Sequence, residues 1–249
     1  MRPAQLPCGR RRWRTALRAP ALASALASAL VAPFVAVCGL GVRAAPSEGT
    51  AAAAEAAPSV ADVVGRVRTT SYDTYLAGLG VDEGDLRGYD EDGFPQPALV
   101  AARTFIADAL AASLGTENVS LQTFKAGGYD GVNVVGVLPG TGARRGQRYV
   151  LGAHYDSEQN GGADDDASGV AGVLEAARVL AGSRFDATRV FVAFDQEEER
   201  DNGWARGSQA FVRRAKRRSA IKAMVGLDMI AYRASDPGRI TLARCDYAR

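Results

Sequence analysis

Residues 148–180 decide the fold, and they read RYVLGAHYDSEQNGGADDDASGVAGVLEAARVL. The first six, Arg148–Ala153, are typical of a buried β-strand. A loop rich in glycine and acids follows. Apolar residues then recur at helical spacing and predict an amphipathic helix; they are Val170, Val173, Leu174, Ala177 and Leu180. A strand, an acidic loop and a helix in this order form one unit of an α/β fold.

The same alternation continues on both sides of this unit. The patterns predict strands at 119–124, 132–138, 189–194 and 223–230, and helices at 60–79, 99–110 and 211–218. We therefore expect an α/β fold with a mixed, mainly parallel twisted sheet and helices on both faces. Such sheets place their chemistry at the carboxyl ends of the strands.

The composition is that of a soluble globular protein. The 249 residues include 47% hydrophobic and 23% charged side chains, with 30 bases and 28 acids. Seven arginines and no acid lie in residues 1–44, so residues 45–249 hold 23 bases against 28 acids. This acidic body argues against nucleic acid as the main partner, because phosphate binding needs clustered positive charge.

Residues 1–44 have the features of an export signal. A basic segment at 10–14 precedes an apolar one at 21–40, and small residues before residue 45 suit cleavage. We predict a signal peptide at 1–44, an Ala-rich linker at 45–58 and a secreted or periplasmic domain at 59–249. A retained membrane anchor is the alternative, because the apolar segment is nearly long enough to span a bilayer.

The predicted strand at 148–153 is followed directly by His154, the one histidine of the chain. A lone histidine is often structural. Here Asp156 follows two residues later, on the same side of an extended chain. A carboxylate at that position can accept the second ring N–H and so orient the imidazole as a metal ligand.

Three adjacent acids, Asp164, Asp165 and Asp166, precede the predicted helix. One acid suffices to cap a helix, and three repel one another unless a cation is near. A calcium loop that starts at Asp164 would place Glu175 at position 12. The strand and glycine loop before it argue against this alternative, because an EF-hand has a helix there.

Two more predicted strands end in acids. Residues 191–199 read FVAFDQEEE, although a solvated loop also explains such a run of charge. Asp228 is flanked by apolar residues, where an unpaired carboxylate is costly to bury. Parallel strands would bring these acids and His154 to one sheet edge. Mixed nitrogen and oxygen ligands suit zinc, and a carboxylate shared by two ions suits a paired-metal site.

The four motifs together resemble those of the dizinc metallo-aminopeptidases. In the family's order, they are His154-Tyr155-Asp156, GADDDASG at 162–169, DQEE at 195–198 and LDMI at 227–230. The family includes bacterial leucyl aminopeptidase and aminopeptidase Y, and glutamate carboxypeptidase II and glutaminyl cyclase are relatives. The resemblance runs from about residue 133 to residue 232 and implies a zinc peptidase domain at 59–249.

The resemblance also implies roles for single residues. His154, Asp165 and Asp228 would bind one zinc, with Asp165 as the bridge to a second zinc that Glu198 binds. Glu197 would be the general base, and the aspartate of the first motif would orient the histidine. The implied activity is hydrolysis of the N-terminal bond of a peptide with a free N-terminus, by a metal-activated water.

One ligand of the family has no counterpart here. In the family, a histidine further downstream also holds the second zinc, whereas this chain has a single histidine. We therefore expect a chain cut short within its catalytic domain that holds at most one zinc tightly. The alternatives are an impaired relative that binds metal or peptide only, and a glutaminyl-cyclase-like acyltransferase.

Overall fold

The computed structural model describes residues 58–82, 84, 86–126, 129–158, 160–198, 206–215 and 220–231. The predicted signal peptide and nearly all of the predicted linker lie outside these residues, as does the chain after residue 231. The predicted boundaries at residues 44 and 58 therefore stay predictions.

Five helices and five strands make up the described part. The helices are α1 (Val60–Val64), α2 (Thr69–Gly78), α3 (Pro97–Leu114), α4 (Gly169–Ala181) and α5 (Arg206–Arg214). The strands are β1 (Val119–Ala126), β2 (Tyr129–Leu138), β3 (Arg148–His154), β4 (Thr188–Phe194) and β5 (Ile221–Gly226). A 3₁₀ turn at Thr116–Asn118 leads into β1, and an irregular turn at Ala163–Ser168 leads into α4.

The strands form one sheet in the order β1-β2-β4-β3-β5. β2 is antiparallel to both of its neighbours, and β3 is parallel to both β4 and β5. All strands except β2 therefore run in the same direction. This arrangement confirms the predicted α/β class with a mixed, mainly parallel sheet.

Different helices cover the two faces of the sheet. On one face, Leu151 and Phe191 pack in the main core with residues of α3 and α4. On the other face, Val150 and Val192 pack with Phe211 of α5. Neighbouring residues of one strand thus enter opposite cores, as the pleat of a strand requires. The predicted helices on both faces are confirmed.

The helix predicted at 60–79 is two helices, α1 and α2, and the prediction of one helix was wrong. Between them Arg68 has extended backbone angles, with φ −125° and ψ 127°. Its N–H donates to Glu175 Oε1 at 2.7 Å, and the hydroxyl of Ser71 donates to Oε2 at 2.8 Å. Glu175 is buried and also pairs with Arg178. The Glu175 carboxylate therefore stabilises the break between α1 and α2. Because these partners already occupy its oxygens, the carboxylate is not available as the twelfth position of a calcium loop.

Within the described residues, helix α3 is long and apolar enough to cross a membrane by length and composition. Its buried side chains, however, pack in the main core; they are Leu99, Ala102, Ile106, Leu110 and Leu114. A core helix of a globular domain meets the same criteria of length and composition, because one face must be apolar to pack. One face of α3 therefore packs against the main core.

Candidate metal centre

Three parallel strands carry the candidate residues at one edge of the sheet. His154 is the last residue of β3, Glu197 and Glu198 follow β4, and Asp228 follows β5. Asp165 lies in the irregular turn before α4. Because β3, β4 and β5 run in the same direction, their carboxyl ends meet, and the topology brings the motifs together.

The first group of candidate metal ligands consists of His154, Asp165 and Asp228. One ligand atom from each residue lies within 4.8 Å of the other two. His154 is buried, Asp165 is partly exposed and Asp228 is exposed, so the group is open to solvent on one side. His154 Nε2 lies 3.0 Å from Asp165 Oδ1. These are the residues that the family resemblance assigns to one zinc.

The second group shares the histidine. Ligand atoms of His154, Glu197 and Glu198 also lie within 4.8 Å of one another, and both glutamates are half-buried. Nδ1 of the ring lies 3.1 Å from the backbone oxygen of Asp156, so Nε2 is the nitrogen left for a metal. The two groups therefore share a single nitrogen ligand.

Asp156 contacts the histidine mainly through its backbone. The backbone oxygen is 3.1 Å from His154 Nδ1, whereas the carboxylate Oδ1 is 3.6 Å away. The other carboxylate oxygen accepts a hydrogen bond from the backbone N–H of Glu198 at 2.9 Å. Asp156 thus combines two functions: it orients the imidazole and fixes the turn that carries Glu198.

The acids on either side of Asp165 have structural partners. Asp166 is fully buried, and its Oδ1 accepts from the backbone N–H of Gly169 at 2.9 Å and of Met229 at 3.3 Å. It therefore caps α4 and also holds the turn after β5. Asp164 Oδ1 accepts from the backbone N–H of Ala231 at 2.8 Å. Asp165 thus lies beside the ring of His154, whereas Asp166, which also accepts from the His154 backbone N–H at 3.3 Å, and Asp164 fix the loops around it.

The clustered acids shift one another's pKa values. Burial lowers the pKa of His154, but the surrounding carboxylates, Asp156 first, outweigh burial and raise that pKa to about 10. The ring must therefore lose a proton before Nε2 can bind a metal. Burial raises the pKa of Glu198, and Asp165 and Glu197 raise it further, to about 7. Carboxylates crowded in this way favour a cation in their midst.

A buried polar network lies behind these residues, and no sequence pattern indicated it. Asp195, two residues before Glu197, is fully buried, and its Oδ2 accepts from the hydroxyl of Tyr89 at 2.8 Å and the N–H of Val132 at 2.7 Å. Arg103 lies 3.5 Å from the same oxygen. Burial raises the pKa of Asp195 to about 6 although these donors oppose the shift. The network anchors the start of the turn that carries the glutamates.

Two residues next to candidate site residues have left-handed backbone angles. Gln196, directly before Glu197, has φ 57°, and Met229, directly after Asp228, has φ 48°. This conformation costs a residue with a side chain about 1–2 kcal/mol. Such strain is concentrated at functional sites, where the surrounding structure holds it in place.

Gly162 provides a test of how tightly the turn before α4 is built. Its backbone is left-handed, with φ 56° and ψ 46°, and an added Cβ would overlap Asp165 O and lie 2.6 Å from Ser157 Cβ. We expect Gly162→Ala to lower the free energy of unfolding by about 1–3 kcal/mol, measured by denaturant titration.

Gly182→Ala is the matched control for this substitution. Gly182 has φ −78°, and an added Cβ would meet no atom within 4 Å. Its stability should be unchanged or higher by up to about 1 kcal/mol, because alanine restricts the unfolded chain. Equal losses in both variants would contradict the argument from strain.

Part of the chain is similar to a known protein family. Residues 133–241 match the profile of "Peptidase family M28". A protein of Pyrenophora teres f. teres (strain 0-1) described as "Probable zinc metalloprotease" is 38% identical, over 36% of this chain and 21% of its own length. The chain therefore spans about a fifth of that relative.

Solved structures share the fold. The structure of an Acidobacteriales bacterium glutaminyl cyclase aligns with a TM-score of 0.54 at 20% identity, over 76% of this chain and 63% of its own. A leucine aminopeptidase precursor from Bacteroides thetaiotaomicron VPI-5482 aligns with a TM-score of 0.51 at 21% identity, over 66% and 63%. At these identities the likeness establishes the fold.

The family match covers the strand ends and the turn that carry all the candidate ligands. It confirms the resemblance to the zinc metallopeptidases that the four motifs indicate. The candidate metal centre of this chain therefore lies within a segment, residues 133–241, that is similar to peptidase family M28.

Proposed function

We propose that this chain is a zinc-dependent exopeptidase of the aminopeptidase type, which hydrolyses the N-terminal bond of a peptide. The observation that carries the proposal is the convergence of His154, Asp165 and Asp228 beside Glu197. The match to a peptidase family over 133–241 supports it, and so does the relative described as a zinc metalloprotease.

The residues present fit zinc. One imidazole nitrogen with carboxylates is a zinc-type ligand set, whereas calcium and magnesium prefer oxygen alone. Asp156 Oδ1 is buried, lies 3.6 Å from His154 Nδ1 and has no hydrogen-bond partner among the described residues. A small shift would let it accept the ring N–H, as second carboxylates beside ligand histidines do. When bound, zinc supplies a Lewis acid that polarises a carbonyl and lowers the pKa of water.

One ion would be held by His154, Asp165 and Asp228. A second ion would have Asp165 and Glu198 from the described residues, and zinc sites normally have at least three protein ligands. Since the 249-residue chain has a single histidine, which both candidate groups share, we propose one tightly bound zinc per chain.

Glu197 would move the proton. Its carboxylate is half-buried, and burial raises its pKa, which suits a group that must accept and then release a proton near neutral pH. Glu197 takes a proton from the attacking water and gives it to the nitrogen of the leaving amine as the peptide bond breaks. The hydrogen bond from the N–H of Glu198 to Asp156 holds the turn in place during this transfer.

Substrates that differ only at the N-terminus test the exopeptidase proposal. We expect the zinc-loaded chain to release 4-nitroaniline from leucine 4-nitroanilide and to leave the N-acetylated compound intact, because an aminopeptidase recognises a free amine. A chelator should remove the activity, and added zinc should restore it. Equal hydrolysis of the acetylated compound would contradict the aminopeptidase assignment.

Two other results would point to the alternatives. Zinc binding without hydrolysis of any aminoacyl anilide would indicate an impaired relative. Formation of pyroglutamate from a peptide with N-terminal glutamine, without hydrolysis, would indicate an acyltransferase like glutaminyl cyclase. The fold is compatible with both reactions, so only the assay separates them.

We also propose that the protein is exported, on the evidence of the basic and apolar segments of residues 1–44. Cleavage after Ala44 gives a mature chain that begins at Ala45. N-terminal sequencing of protein from the medium or periplasm checks this expectation. An intact Met1 on membrane-bound protein would instead support the anchor.

A further inference from the structure

We propose that Arg87 is a positioning residue that fixes the metal site from outside the family-matched segment. Arg87 lies in the loop between α2 and α3, before the matched residues 133–241. The inference rests on the proposed function, since it concerns the geometry of the same zinc ligands. Arg87 acts through the loop from Tyr155 to Gly162, which joins His154 to the turn that carries Asp165.

The guanidinium of Arg87 is fully buried and donates to four backbone oxygens. Nε donates to Tyr155 O at 2.8 Å, and Nη2 donates to Gly162 O at 3.0 Å. Nη1 donates to Gly161 O and, at 3.0 Å, to Gly80 O. One side chain thus connects both ends of the loop to the segment after α2.

The backbone of Arg87 holds the middle of the same loop. The N–H of Arg87 donates to Ser157 Oγ at 3.1 Å, and the N–H of Ser157 donates to the Arg87 carbonyl at 2.9 Å. The Ser157 hydroxyl in turn donates to Asn160 O at 3.0 Å. The loop is therefore held at its beginning, its middle and its end by one residue.

These contacts lie next to the residues that must converge on a metal. Tyr155 stands between His154 and Asp156, whose backbone oxygen contacts the ring nitrogen at 3.1 Å. Gly162 begins the turn of Asp165, and an added Cβ there would lie 2.9 Å from Arg87 Nη2. By holding the two ends of the loop, Arg87 sets the separation of the His154 imidazole and the Asp165 carboxylate.

Lysine cannot replace arginine in this position. The guanidinium is a rigid plane with five N–H donors, whereas the lysine ammonium is a single point on a flexible chain. Arg87→Lys keeps the charge but leaves several buried carbonyl oxygens without a donor. The loop should then relax, and the zinc ligands should lose their alignment.

The test compares the zinc affinity of two variants, each of which replaces one buried arginine by lysine. Arg189→Lys is the matched control, because Arg189 is also buried but lies in β4 at the opposite end from the site, against the rings of Tyr149 and Phe185. We measure the zinc Kd of each full-length variant by competition with a chromogenic chelator, and the unfolding temperature without metal. We expect Arg87→Lys to weaken zinc binding about 10–100-fold, as loss of a supporting partner does, and Arg189→Lys to leave it near wild type.

Ser157→Ala is a milder second variant, which removes the hydroxyl that joins Arg87 to the middle of the loop. It should weaken zinc binding about three- to tenfold, in line with the loss of one buried hydrogen bond. Wild-type zinc affinity in Arg87→Lys and Ser157→Ala, or an equal loss in Arg189→Lys, would overturn the positioning role and leave the proposed function intact. A wild-type chain that fails to bind zinc would overturn the proposed function and the positioning role together.

Discussion

Glu197→Gln is expected to lower kcat about 10²–10⁴-fold while zinc stays bound. Glutamine has nearly the same shape as glutamate, but its amide cannot accept a proton from water. Glu197 lies outside the group of His154, Asp165 and Asp228, so the metal ligands proposed for the tight site are unchanged. The measurement is kcat on leucine 4-nitroanilide together with the zinc content of the purified protein.

Glu117→Gln is the control for this experiment, because Glu117 is exposed in the 3₁₀ turn before β1, away from the sheet edge that carries the site. Its kcat should equal that of the wild type. Full turnover in Glu197→Gln would refute the assignment of the base. If Glu198→Gln lost turnover while Glu197→Gln kept it, Glu198 would be assigned as the base and Glu197 as the metal ligand.

The positions of His154, Glu197 and Asp228 could be predicted because each lies at or just after the end of a strand that the sequence pattern reveals. An apolar run marks β3 and another marks β4, and the acids come directly after them. Parallel strands end at the same edge, so His154 and Glu197 had to be neighbours once the α/β class was recognised. Periodicity and topology together thus predict the edge that carries the site.

The choice among the three adjacent acids could not be predicted from local pattern. Each of them could cap α4, and the partners that distinguish them lie 11 or more residues away, at His154, Met229 and Ala231. Family resemblance, and not spacing, singled out Asp165. The structure places this acid beside the histidine because the other two are engaged by backbone N–H groups.

The supporting residues were not predictable for a related physical reason. Arg87 and Tyr89 act on residues 68 or more positions away, namely Tyr155 and Asp195. A single buried arginine or tyrosine leaves no periodic signature, because its contacts depend on the packed tertiary structure. The break between α1 and α2 has the same origin, since a carboxylate from α4 holds it.

His154→Ala is expected to abolish tight zinc binding. His154 belongs to both candidate groups, and the chain has no other histidine. Zinc at about 100 times its Kd stabilises a folded protein by about 2.7 kcal/mol. For a domain of this size that corresponds to a rise in Tm of about 5–10 °C. The wild type should show this rise, and His154→Ala should show none, in thermal unfolding with and without zinc.

The zinc-induced difference in Tm, and not Tm itself, carries the conclusion. Removal of a buried ring leaves a cavity that changes stability without metal, so the two variants must each be compared with their own metal-free form. Gly182→Ala is the control, because its added Cβ meets open space, and it should keep the full wild-type rise. An undiminished rise in His154→Ala would mean that zinc binds elsewhere, and the ligand set proposed around β3 would be wrong.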